Sequence, residues 1–294
     1  MARRRPPTVH GLAVVDKPAG VTSHDVVGML RRRLGERRIG HAGTLDPSAT
    51  GVLVVGVGNV TRLLRFVTEG RKRYTGEVVV GVETDSLDAD GAVTVRHDPL
   101  IVDRREVESI IAEHFTGPIQ QVPPMVSALK VEGRRLHELA REGIEVERAA
   151  RPVTVYSCSV SGITADDGGR PVIGIEVECS AGTYIRSLAA DLGHALGSGA
   201  HLRNLRRTAV EPFSIDEAAS PDTCALLPAA AAVRSLARVE VDAVTAASIA
   251  VGKILPAPGG TGPWAMVDTV GELLAVYEDH GPGWSKPAVV LAAG

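Results

Sequence analysis

Gly40-His-Ala-Gly-Thr-Leu-Asp-Pro-Ser-Ala-Thr-Gly51 runs without a break into Val52-Leu-Val-Val-Gly-Val57. The second run is apolar and reads as a buried strand. The first is a turn of glycines, small residues and Pro47 that carries one carboxylate, Asp46. Set directly against a core strand, such a turn is stiff. A lone acid held this way, close to His41 and between strongly basic flanks, points to chemistry on a polyanion.

Working outward, Gly11–Val15 reads as a strand entering the turn Asp16–Gly20, and Thr22 or Ser23 caps a helix to about Leu34 with Val26, Val27, Leu30 and Leu34 on one face. Tyr74–Gly81 is a further strand, Thr84–Gly91 a polar loop, and Asp103 caps a helix to Phe115. Gly117–Pro124 is a poor helix or strand former, and a short basic helix follows over Arg134–Arg141. Residues 117–151 therefore read as an insertion of the mobile, functional kind. Strands resume at Val153–Val160 and Val172–Cys179, and Thr183 starts an amphipathic helix ending near Gly197. After an alanine-rich stretch, Val239–Val241, a helical turn at Ala246–Val251 and a hairpin of Trp264–Val267 with Leu273–Tyr277 form a small C-terminal unit. Strands outnumber helices and many are joined by hairpins, so the expected class is α+β with a mostly antiparallel mixed sheet and flanking helices. The expected division is a large domain over 1–235 and a small β-rich one over 236–294.

The 294 residues suffice for a substantial core. No apolar run approaches the roughly 20 residues that span a bilayer. Cys158, Cys179 and Cys224 lie far apart with no Cys-x-x-Cys pair, which argues against a disulfide framework or a zinc site and fits the cytoplasm. Net charge is only −3, but residues 1–75 hold 14 Lys/Arg against 5 Asp/Glu. That asymmetry can create a positive face attractive to phosphates.

Val52–Thr61 imitates the start of a dinucleotide fold, but the third glycine is replaced by Thr61 and no βαβ unit follows. There is no phosphate loop and no zincin pair, so neither a metal nor an organic cofactor is expected. Three companions of the Asp46 turn carry more. Lys17-Pro18 lies in a second turn after a strand, Arg71-Lys-Arg-Tyr74 places an aromatic at a strand mouth, and Cys179–Arg186 runs from strand to helix with Tyr184 and Arg186. With Val15–Gly20, Pro124–Lys130, Gly133–Arg141 and Leu202–Arg207, these segments resemble the tRNA pseudouridine synthases of the TruB type, over residues 11 to about 218.

The resemblance implies isomerisation of uridine 55 in the tRNA T-loop. It implies that Asp46 is the catalytic aspartate, Tyr74 the tyrosine stacked on the target base and Arg186 the arginine paired with Asp46. It places His41 near the displaced base, Leu205 as an apolar wall, Lys17 beneath the active-site turn and Tyr184 among the substrate-binding groups. Three positions depart from the pattern: Ala42 stands where threonine is common, and Val126 and His137 where tyrosines are. The C-terminal unit resembles a PUA-type RNA-binding domain. A uridine within a folded loop must be flipped out to react, and Arg186 is expected to lower the pKa of Asp46 and hold it ionised. RNA affinity is expected from Arg and Lys in the first 75 residues, from the insertion and from Arg203, Arg206 and Arg207. The expected partner is the tRNA T-arm stem-loop, with no membrane and no obligate protein partner evident. A non-catalytic tRNA-binding or tRNA-folding protein, or a guide-dependent enzyme sharing the same turn, is the competing reading.

Overall fold

The computed structural model describes residues 6–291 apart from 128 and 132, with the side chains of Lys130, Val131, Arg135, His137, Ala140 and Arg141 also outside the description. The basic tail Arg3–Arg5 and the His137 side chain thus lie outside the described residues.

In chain order the larger unit begins with β1 (Gly11–Lys17), α1 (Ser23–Leu34), β2 (Ile39–Ala42), β3 (Thr50–Val57), α2 (Leu64–Thr68) and β4 (Lys72–Val80). The hairpin β5 (Val82–Thr84) and β6 (Val93–Arg96) precedes α3 (Arg104–His114). Next come β7 (Gly117–Gln121), β8 (Lys130–Val131), β9 (Arg134–Arg135) and α4 (Leu136–Arg141). β10 (Arg151–Ala165), β11 (Pro171–Cys179), α5 (Ile185–Ala195), β12 (Ala200–Val210) and β13 (Phe213–Ser214) complete the unit. The C-terminal unit holds β14 (Ala237–Glu240), α6 (Ala243–Ala250), β15 (Leu255–Pro256), β16 (Trp264–Val267), β17 (Leu273–Asp279) and β18 (Trp284–Val290).

The main sheet runs β1-β3-β12-β4-β11-β10-β7, with β2 on β3 and β13 on β12. Every pairing in it is antiparallel except β12 with β3. This is the expected α+β class. The parallel seam is short, Arg206 opposite Thr50 and Arg207 opposite Gly51. It is also tight: Gly51 has φ +102°, and a Cβ there would stand 2.1 Å from the Arg207 carbonyl oxygen. Only glycine fits that approach.

α1 forms because Thr22 caps it reciprocally with Asp25 and Gly35 ends it in the left-handed region, φ 63°. Its apolar face, Val26, Val27 and Leu30, is buried on Ala13, Val15, Leu53 and Val55 of β1 and β3, each side chain contributing roughly 2 kcal/mol. α3 packs on β10 and α5 on β12 and β4, burying Val107, Ile111, Leu188 and Leu192 in one core. On the far side of β1 and β3, Leu12, Val14, Val52 and Val54 meet Ala265, Val267, Leu273 and Val276, so the five-stranded C-terminal sheet packs on the larger unit through a shared core.

One local expectation needs correction, and one strand went unread. Gly117–Gln121 is a strand, not an irregular loop: it pairs with β10 at the sheet edge, where Pro118 is tolerated. Ala200–Val210, which carries no apolar alternation, is a central strand paired with both β3 and β4. Two β-bulges in its pairing with β4 re-aim its side chains and explain why a period of two is absent.

Candidate active site

The Asp46 turn is fixed from beneath at three points. Ser23 Oγ accepts from the Leu45 N–H (2.9 Å) and donates back to the Leu45 carbonyl (3.1 Å). Lys17, fully buried, donates its three ammonium N–H groups to the carbonyls of Pro18 (2.9 Å), Val21 (2.6 Å) and Pro47 (3.0 Å). Arg207 donates to the Gly43 carbonyl at 3.0 Å. Asp46 is thereby presented to a pocket of about 330 Å³.

Arg186, in the first turn of α5, meets Asp46 side-on. Nε donates to Oδ2 at 3.0 Å and Nη2 to Oδ1 at 3.1 Å. The guanidinium is 4% exposed, and its other N–H groups are also taken. They reach the Ser86 carbonyl (2.9 Å), Asp88 Oδ2 (3.3 Å) and the Val126 carbonyl (2.8 Å). A second carboxylate therefore shares the arginine. Asp88 sits in the loop after β5, which docks on β12 through backbone bonds between Leu87, Ala89 and Leu202.

α5 is itself anchored to the stem of the insertion. The buried Gln121 side chain accepts from the Tyr184 N–H (2.7 Å) and donates to the Tyr184 carbonyl (2.9 Å), imitating a strand pair. Ser187 Oγ donates to the Val122 carbonyl at 3.0 Å.

Asp46, Tyr74, Tyr184, Arg186 and Leu205 all line the one pocket. Lys17 does not: with its three donors spent on carbonyls it lies under the turn. Burial, opposed first by Asp46, pushes its ammonium down to about 8. His41 is also outside the lining, at the end of β2; burial and then Arg207 lower its pKa, and its Nδ1 has no partner among the described residues. Tyr74 is 8% exposed, and burial raises its phenol pKa against the pull of Arg207.

The expectation that Arg186 sets the ionisation of Asp46 is reversed on net. Burial raises the carboxyl above the ordinary range; Arg186 pulls it down, and Asp88 and Asp90 push it up again. The cation is itself divided between two carboxylates, which weakens its hold on either. A carboxylate raised in this way is a better base and nucleophile than a solvated one.

Three site residues were not legible as such. Asp88 lies in a loop that reads only as polar. Lys72 and Arg207 are buried in the pocket wall, although Arg207 is expected to be a phosphate contact. Of its neighbours, Arg206 pairs with Asp16 (2.8 Å) and Arg203 with Glu77 (2.6 Å). Arg203 and Arg206 are thus paired with acids of β4 and β1, and Arg207 is held by backbone carbonyls.

The family profile for the N-terminal domain of TruB family pseudouridylate synthases matches residues 31–185, and that for the tRNA pseudouridylate synthase B C-terminal domain matches 186–234. The chain belongs to the TruB family of pseudouridylate synthases. A tRNA pseudouridine synthase B of Paenarthrobacter aurescens (strain TC1) is 46% identical over 97% of this chain and 96% of its own. One of Thermobifida fusca (strain YX) is 44% identical over 96% and 98%. A solved chain of a Cbf5–Nop10–Gar1 complex is 26% identical, with a TM-score of 0.71 over 97% of this chain and 84% of that one. Both TruB segments contribute to the one pocket: Asp46 and Tyr74 come from the first, Arg186 and Leu205 from the second.

Proposed function

We propose that this TruB-family chain isomerises a tRNA uridine to pseudouridine, at position 55 of the T-loop, with Asp46 as its catalytic carboxylate. The observation that carries the reading is the Asp46–Arg186 pair at the wall of a pocket large enough for a flipped nucleoside. Isomerisation breaks C1′–N1, turns the uracil and forms C1′–C5. A single carboxylate suits a reaction whose base never departs, whereas glycoside hydrolysis normally uses two with one directed at water. Asp88 does not supply that second role, since its carboxylate is spent on Arg186, on Ser86 Oγ (2.6 Å) and on the Asp90 N–H (3.1 Å).

Tyr74 stacks on the flipped base and Leu205 keeps its other side dry. Tyr184 and Arg186, at the start of α5, follow the insertion stem through Gln121, so docking of RNA on the insertion and placement of Arg186 are coupled. Residues 1–235 act as the catalytic domain, with 117–151 contacting RNA, and 236–294 as a PUA-like unit. The T-arm stem-loop is the recognised element, and the cytoplasm is the place of action. Unpaired cysteines and the absence, among the described residues, of any helix long and apolar enough to cross a membrane support that placement.

The test compares wild type with Asp46→Asn on a T-arm stem-loop, scoring binding and conversion separately. Binding by both with conversion only by wild type is the expected result. Binding by both with conversion by neither would leave a tRNA-binding or tRNA-folding protein.

A further inference from the structure

Two cations in the pocket floor have no part in the chemistry above. Lys72 is 6% exposed and Arg207 is 1% exposed. Lys72 Nζ donates to the carbonyls of Thr68 (2.8 Å) and Gly70 (2.9 Å), which uses two of its three N–H groups. Arg207 Nε donates to the Val52 carbonyl (2.8 Å) and Nη2 to that of Gly43 (3.0 Å), leaving further N–H groups on the pocket side near the Tyr74 hydroxyl. Among the described residues neither cation forms a salt bridge with a carboxylate. Burial and then Arg207 push the Lys72 ammonium down to about 8. Two like charges desolvated together are costly unless something negative joins them.

Their burial selects the negative group. Both line the pocket yet are almost wholly buried, so a flipped base that enters the pocket can meet them, whereas phosphates stay with the RNA chain outside it. Gly43, at φ +81°, keeps the space above them open: a Cβ there would stand 3.4 Å from Arg207 Nη1 and 3.7 Å from Lys72 Cε. We propose that Lys72 and Arg207 bind the uracil as it leaves C1′ and stabilise the negative charge it then carries.

The step balances without a co-reactant. C1′–N1 breaks with its electron pair passing to N1 and, by resonance, to O2 and O4 of the ring. Asp46 meets the positive charge developing at C1′. The ring turns, C5 bonds to C1′, solvent takes the C5 proton and supplies one to N1, so the proton count is unchanged. This rests on the isomerisation reading and adds to it the groups that hold the detached base.

The experiment measures single-turnover conversion by wild type, Lys72→Met and Lys72→Arg at saturating enzyme, with stem-loop Kd measured alongside. Each enzyme is given RNA with uridine at the target, scored for conversion, or with 5-fluorouridine, scored only for loss of the C1′–N1 bond, because a C5 fluorine cannot leave as the C5 proton does. Lys72→Met should slow conversion of the uridine RNA by about 100-fold, as loss of one preorganised charge does, with Kd within about threefold. Lys72→Arg should recover much of the rate. The defect should shrink on the fluorinated RNA, whose substituent itself stabilises the anion. Unchanged conversion by Lys72→Met overturns the proposal. A defect equal on both RNAs and not relieved by arginine overturns it too, since it reports packing. Weaker binding with a salt dependence lower by about one charge, and a normal rate at saturation, assigns Lys72 to a phosphate instead and also overturns it. Lys72→Gln, whose amide can still donate to the Thr68 and Gly70 carbonyls, replaces Lys72→Met if the latter does not fold. If wild type leaves the RNA unconverted while binding it, the isomerisation reading fails, and this one with it.

Discussion

Arg186→Met would remove the one group that links the Asp46 turn, the loop after β5 and the stem of the insertion. The guanidinium meets Asp46 twice, at 3.0 and 3.1 Å, and also Asp88, the Ser86 carbonyl and the Val126 carbonyl. Its loss strands the Asp88 side chain, 13% exposed, and the Asp46 side chain, 37% exposed, as neighbouring carboxylates without their cation. Breaking a buried pair from one side costs about 3–5 kcal/mol. For a chain of this size that corresponds to a melting temperature lower by roughly 10 °C. Asp46 would take up a proton more readily still, because burial already raises its pKa and Arg186 is the main influence opposing it. Conversion should fall by at least about 100-fold. Adding Asp88→Asn to Arg186→Met should restore about 1 kcal/mol or more, since asparagine keeps an oxygen for Ser86 and Asp90 but drops the charge. Thermal melts and urea titrations of the single and double variants read both quantities. A single variant melting within about 2 °C of wild type, or a double variant less stable than the single, would refute the shared-arginine account.

Gly51→Ala should cost at least about 2 kcal/mol, because the new Cβ meets the Arg207 carbonyl at 2.1 Å from a backbone with φ +102°; denaturant melts check it, and a neutral result would mean the β3–β12 seam is looser than described. Asp46→Asn should melt at or above wild type at pH 7. A carboxyl with a raised folded pKa lowers stability once the pH passes that pKa, and the amide removes this cost; a clearly lower melting point sinks the expectation. Lys17 and Lys72, both pushed down to about 8 from 10.5, are charged and costly below pH 8. Between pH 8 and 10.5 the unfolded chain holds more protons than the folded one, so each lysine adds stability as pH rises, by at most about 1.4 kcal/mol per pH unit. Lys72→Met should flatten that rise in a pH series of melts, and an unaltered slope would contradict its burial as an ammonium.

Local pattern carried far in this chain. The cap and extent of α1, the buried run after Gly51 and the hairpin at Trp264–Tyr277 are legible because each depends on residues a few positions apart. The Asp46 turn was legible for the same reason, whereas Tyr74 and Arg186 were tied to it through the family resemblance that their segments carry. β12 was not: it is a central strand whose sequence is dominated by charge, with Arg203 taken by Glu77 on the adjacent β4 and Arg206 by Asp16 on β1, one strand beyond β3.

The sequence by itself determined the α+β class, the turn that presents Asp46 and the family, since these follow from short-range periodicity, capping and ordered motifs. Only the tertiary structure decided which charges lose water and which meet. Arg186 reaches Asp46 across 140 positions and Ser86 across 100, and Arg207 reaches Val52 across 155. The cost of burying a charge depends on every group packed around it. No local stretch could therefore reveal that Asp88 shares Arg186, that the Asp46 carboxyl is raised, or that Lys72 and Arg207 lie desolvated beneath the pocket.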